Sequence, residues 1–117
     1  MKAIVHSIGS ADVDVASYVS QNPECDGIWL RLVVGPEGGS GEESFDVLVC
    51  TPLWLRRVVE KEGPQVGRHR LIVDPLDLAV ASQFLKSHFE AIEDDDWSAL
   101  CERFGRIGYW EFEDYRK

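Results

Sequence analysis

Two apolar alternations separated by a glycine-rich break occupy the middle of the chain. From Ile28 to Val34, the residues Ile28, Leu30, Leu32 and Val34 alternate with Trp29, Arg31 and Val33. That is the period of a β-strand. Phe45 to Cys50 (FDVLVC) is a second strand-like run, and GPEGGSGEE at 35–43 lies between them. So much glycine suits neither a helix nor a strand. The spacing predicts an antiparallel hairpin over 28–50 with a long mobile tip.

The flanking segments supply further strands and a helical layer. Residues 2–8 (KAIVHSI) read as a short strand, followed by a polar loop with Asp12 and Asp14. Thr51-Pro52 is a helix start, a hydroxyl N-cap with proline at the first helical position. This helix carries Leu55, Val58 and Val59 on one face and stops before Gly63-Pro64. Residues 68–74 (RHRLIVD) predict another strand, and Asp74-Pro75 repeats the cap-plus-proline device to open a longer helix. Its stripe of Leu78, Ala81, Leu85, Phe89 and Ile92 follows steps of three and four and would cover one face of the sheet. After Glu93-Asp94-Asp95-Asp96 comes a third helix, with Trp97, Leu100, Phe104 and Ile107 on its apolar side and Gly108 as its C-terminal cap. The tail returns as an extended segment in which Tyr109, Trp110, Phe112 and Tyr115 interleave with Glu111, Glu113 and Asp114. A terminus this aromatic is either stitched into the core or presented to a partner. The expected fold class is α+β: a single domain over residues 1–117, an antiparallel hairpin-containing sheet with about three helices packed on it.

Charge narrows the partners. Twenty-one acidic residues against 12 basic ones give a net charge of −9. Such a chain repels phosphate backbones and anionic membranes, so neither is an expected direct partner. A basic protein or cationic ligand is favoured, although solubility alone also accounts for an acidic composition. Cys25, Cys50 and Cys101 are odd in number and lack CxxC spacing, which fits a reducing interior. With neither a long apolar leader nor an 18-residue apolar run, a soluble, bacterial-style cytoplasmic protein is expected.

Catalytic signatures are missing. His6, His69 and His88 do not fall into ligand spacing, and there is no GxSxG, catalytic-cysteine context or Walker loop. The glycines of 35–41 precede a strand rather than a helix, so they form no phosphate cradle. His88, beside Phe84 at the edge of an apolar stripe, reads as structural. No enzyme activity, cofactor or metal is expected. The carboxylates fall into three clusters: Glu90 with Glu93–Asp96; Glu42, Glu43 and Asp46; and Glu111, Glu113 and Asp114. Concentrated like charge costs stability, so a binding use is entertained. The candidate partner-binding residues are Glu42, Glu43, Glu93, Asp94, Asp95 and Asp96. The competing reading of 93–96 is a solvated helix start with a dipole benefit of a few tenths of a kcal/mol per charge.

Three blocks also carry a resemblance. EESFDVLVCTPLWL (42–55), GRHRLIVDPLD (67–77) and WSALCERFGRIGYWEFEDYR (97–116) resemble, in order and spacing, the immunity protein 8 family of bacterial polymorphic toxin systems. They span about two-thirds of the chain. One departure is the third helix, where Ser98 and Ala99 follow Trp97 in place of further acid. The resemblance implies a small cytoplasmic α+β protein that binds the C-terminal domain of a cognate toxin and neutralises it. Inhibition would come from occluding the toxin's working site or locking an inactive conformation, without catalysis. Against a basic nuclease, the acidic clusters would occupy the phosphate-binding groove. The motif residues Phe45, Trp54, Trp110 and Phe112 read as folding residues. The tip 35–43, the loop 12–26 and the run 93–96 read as the partner-specific parts. Two other classes stay open: an acidic regulatory or scaffold module binding an endogenous basic protein, and a small hydrolase using surface carboxylates. The oligomeric state is left open.

Overall fold

The expected hairpin forms the centre of a mixed five-stranded sheet. The computed structural model describes residues 1–112. The elements run β1 (Ala3–Gly9), β2 (Gly27–Pro36), β3 (Glu43–Cys50), α1 (Pro52–Glu62), β4 (Arg70–Ile72), α2 (Leu78–Ala91), α3 (Trp97–Phe104) and β5 (Tyr109–Trp110). β2 and β3 pair antiparallel in an unbroken register from Gly27↔Cys50 to Val34↔Glu43. β1 pairs antiparallel with β2, with a bulge between Val5 and Ser7. β4 lies parallel to one half of β3, and β5 pairs antiparallel with its other half at Phe45 and Asp46. The α+β reading therefore holds.

Alternation decides which face is covered. Leu30, Leu32 and Val34 of β2, with Phe45, Val47 and Val49 of β3, are almost wholly buried. Leu78, Ala81, Leu85 and Phe89 of α2 pack against them with Leu100 and Phe104 of α3, as the periodicity required. At the centre, the ring of Phe45 meets those of Phe89, Phe104 and Trp110 at centroid distances of 5.8, 5.6 and 6.2 Å.

The N-terminal edge of the sheet is closed by a side chain. Glu90 of α2 accepts the Val5 N–H at 2.9 Å and pairs with Lys86 at 2.8 Å. The Lys86 ammonium first, and then the Val5 N–H, hold the Glu90 carboxyl below its ordinary value. A carboxylate on an edge strand also discourages pairing with another chain.

Several local expectations need correction. The cap-plus-proline pair at 74–75 does not open α2, which begins at Leu78. Asp77 is the N-cap, and its carboxylate accepts from the amides of Ala79 and Val80. The strand expected over 68–74 shortens to Arg70–Ile72, because His69 takes a φ of 66°, outside the strand region. α1 buries none of its residues, and Val59 is exposed, so its apolar face is peripheral. α3 ends one turn earlier than expected, with Gly105 at its C-cap. Gly108 instead lies flat on β3, where an added Cβ would stand 3.0 Å from Val47 Cγ2. Trp110 and Trp54 are half-buried and Phe112 is exposed, so of the four motif aromatics only Phe45 is a full core residue. In the expected extended tail, strand pairing covers Tyr109 and Trp110, and residues 111–112 form a turn. Glu113, Asp114 and Tyr115 lie outside the described residues.

Thr51 does start α1 as expected, and it does more. Its buried Oγ1 accepts the Trp54 N–H at 3.3 Å and the Asp26 N–H at 3.2 Å, tying the helix start to the loop before β2. Thr51→Ala removes the acceptor of both hydrogen bonds and is expected to cost about 1–2 kcal/mol. A urea midpoint equal to the parent's would show that the cap carries no stability.

Candidate functional site

The two acidic segments chosen from the sequence are 50 residues apart in the chain, yet the fold brings them to one end of the sheet. β1 begins beside the end of β2, with Ala3 opposite Pro36, and the Glu37 amide donates to the Lys2 carbonyl. The N-terminal ammonium then donates to the Asp94 carbonyl at 2.8 Å. The hairpin tip with Glu37, Glu42 and Glu43 thus shares an end with the run 93–96. Glu43 also faces α3 from the strand side: burial raises the Cys101 thiol, and the Glu43 charge adds to it.

The six candidate carboxylates do not have equal freedom. Asp96 is the N-cap of α3 and accepts the Ala99 N–H at 2.8 Å. Asp94 accepts the Asp95 N–H at 2.7 Å and stands 3.7 Å from the Arg103 guanidinium. Glu43 accepts the Trp110 indole N–H at 3.2 Å. These three help to fix the fold. Among the described residues Glu42 touches only an exposed partner, with His6 Nδ1 at 2.6 Å. Glu93 and Asp95 are exposed. The helix-start reading is therefore correct for Asp96, while Glu42, Glu93 and Asp95 cap no helix and accept no backbone hydrogen bond among the described residues.

A second feature lies farther along the sheet, on its other face. On the sheet face opposite the core, Leu48 and Cys50 are buried at the end where α1 places Trp54 against Gly27. Among the described residues, nothing covers Trp29 and Tyr109 on the rest of that face. Trp29, 40% exposed, and Tyr109, 51% exposed, stand 5.8 Å apart there. Beside them Arg31 makes a bidentate pair with Asp46 at 2.8 and 3.0 Å, and the carboxylate raises the guanidinium pKa. A cleft of about 390 Å³ runs along Ser7, Trp29, Val33 and this ion pair. A second, of about 530 Å³, continues from the pair past Ser44 and Tyr109 to Glu111. Exposed tryptophan, tyrosine and arginine side by side are the residue types that dominate binding energy at protein interfaces. The alternation of β2 put Trp29 on the non-core face, but its meeting with Tyr109 depends on β5 and was not legible.

The loop 12–26 is organised by its own acids. Asp26 accepts the Tyr18 hydroxyl and, at 2.6 Å, that of Ser20, while Asp14 accepts from Ala16 and Ser17. The hydrogen bond to Asp26 raises the Tyr18 phenol above its ordinary value. These carboxylates brace a loop and are not gathered into a site.

Burial pushes up the thiols of Cys50 and Cys101, the latter to about 12, which is the reverse of a catalytic thiolate. Among the described residues no group of three His, Cys, Asp or Glu side chains is placed to hold a metal ion. Nor is any helix among them long and apolar enough to cross a membrane.

No curated protein and no solved structure matches the chain. The family model described as Immunity protein 8 matches residues 3–115. Almost the whole length is covered, including every strand and helix, and the chain therefore belongs to the immunity protein 8 family.

Proposed function

We propose that this chain neutralises a basic cognate toxin domain, a nuclease being the best fit, by laying its acidic end over the toxin's working groove. The observation that carries this reading is the convergence of the hairpin tip and the 93–96 run at one end of the sheet, in a chain of net charge −9. Glu42, Glu93 and Asp95 stand in for substrate phosphates, and like charge held together by the fold attracts a cationic groove from a distance. The uncovered face with Trp29 and Tyr109 supplies the apolar anchors that convert an electrostatic encounter into a long-lived complex. Inhibition is steric, the protein acts as an inhibitor and needs no cofactor, and it works in the cytoplasm of the producing cell.

A calorimetric titration against the toxin domain encoded beside it, at low and high salt, tests this directly. Affinity is expected to fall by about 10-fold or more between ~50 mM and ~500 mM salt, as attraction between exposed charges is screened. Tight binding indifferent to salt would remove the acidic end from the mechanism and leave the Trp29–Tyr109 face as the interface. Absence of binding to a folded toxin domain would overturn the reading altogether.

A further inference from the structure

The non-core face of the sheet holds aromatic rings and carboxylates in a set pattern. Arg31, Asp46 and Tyr109 stand opposite one another on β2, β3 and β5, so they form one row across three strands. Trp29 lies two residues along β2 on the same face, and its ring meets that of Tyr109 at 5.8 Å with an interplanar angle of 43°. Rings tilted in this way leave part of each face open. The Tyr109 ring also packs against that of buried His69 at 3.9 Å, which braces it on the sheet. Two clefts, of about 390 and 530 Å³, meet at Arg31 and Asp46. Together they make a groove that runs from Ser7 and Gly9 of β1, past Trp29 and Tyr109, to Glu111.

Charge decides what such a groove accepts. Arg31 pairs with Asp46 through Nε and Nη2, so its charge is matched at close range. Asp46 most strongly, and Glu111 more weakly, raise the Arg31 guanidinium above its ordinary value, which puts Glu111 within electrostatic reach of the row. An apolar side chain entering here would strip water from charged groups and give nothing in return. A cation would meet the negative faces of the two rings and the Glu111 carboxylate together. Of lysine and arginine, only the planar guanidinium can lie flat on an indole while aiming a fork of N–H groups at a carboxylate.

We propose that this groove receives one arginine side chain of a protein partner, its guanidinium on the faces of Trp29 and Tyr109 and its N–H groups toward Glu111. The two rings then act as a receptor for a cation as well as an apolar area. That the partner is the toxin domain rests on the neutralisation reading above, whereas the chemistry of the groove does not.

The test is an NMR titration of the full chain with a blocked arginine, N-acetyl-arginine N′-methylamide, and with its citrulline and lysine counterparts. The Trp29 indole N–H, identified by its loss in Trp29→Phe, is expected to shift saturably at millimolar arginine compound. The citrulline compound, similar in shape but neutral, should bind about 5-fold or more weakly, and the lysine compound about 3-fold. Glu111→Gln, on an exposed side chain, should weaken the arginine compound with an unchanged melting temperature. Against the toxin domain, Trp29→Phe should keep more affinity than Trp29→Leu, because leucine restores apolar area without a ring face. No saturable shift of the Trp29 indole, or equal binding of the arginine and citrulline compounds, overturns the assignment. Equal affinity of Trp29→Phe and Trp29→Leu for the toxin domain overturns it as well. Saturable, arginine-selective binding with no affinity for the toxin domain would sustain the groove and overturn the neutralisation reading instead.

Discussion

Replacing Phe45 with alanine is expected to cost about 3–5 kcal/mol, a large share of the roughly 5–15 kcal/mol that holds a domain of this size together. The Phe45 side chain joins four elements, β3, α2, α3 and β5. Its ring is fully buried and makes edge or stacked contacts with Phe89 of α2, Phe104 of α3 and Trp110 of β5. It also sits where β5 pairs with β3, opposite Trp110. Truncation leaves a cavity bounded by elements that cannot all collapse inward, because Phe89 and Phe104 are already stacked at 4.7 Å. Urea denaturation should show the midpoint falling steeply with the slope unchanged. A loss under about 1 kcal/mol would mean that the aromatic cluster repacks freely, and the account of the core would be wrong. Trp110→Ala should cost less, since that ring is half-buried and its indole N–H faces Glu43. Loss of toxin protection in either variant reports folding, not contact.

The parts of this fold that sequence exposes are those governed by short-range chemistry. The β2–β3 hairpin follows from alternation, and Thr51-Pro52 starts a helix because a hydroxyl acceptor and a missing N–H solve a local problem. The same local logic misplaced the start of α2. Asp74-Pro75 and Asp77 are both plausible caps, and only the backbone path decides that the Asp77 carboxylate faces the open amides. β4 was overestimated because Leu71, Ile72 and Val73 form an apolar run, yet Ile72 is 57% exposed in a short parallel pairing that periodicity does not reveal. The acidic clusters were visible as composition, but their convergence depends on Met1 meeting Asp94 across 93 residues.

Charge reversal at Glu42, Glu93 and Asp95 together is the sharpest test of the proposed inhibitory surface, because the fold separates these carboxylates from their structural neighbours. Reversing all of Asp94–Asp96 would confuse two effects. Asp96 caps α3, and losing that cap alone costs about 1 kcal/mol. Glu42→Lys, Glu93→Lys and Asp95→Lys remove no backbone cap and break one exposed contact, that of Glu42 with His6. Stability should change by less than about 1 kcal/mol, as surface pairs contribute little. Each reversal adds two charges, so the net charge moves from −9 to about −3. If each exposed carboxylate contributes about 1 kcal/mol toward a cationic groove, the triple variant loses roughly 100-fold in affinity. Most of that loss should appear in the association rate, and the remaining affinity should respond less to salt. Restoring the parent's affinity with lysines in the toxin's groove changed to glutamates would pair the two surfaces directly. A folded triple variant that binds and protects like the parent would place the contact elsewhere, with Trp29 and Tyr109 next to be substituted.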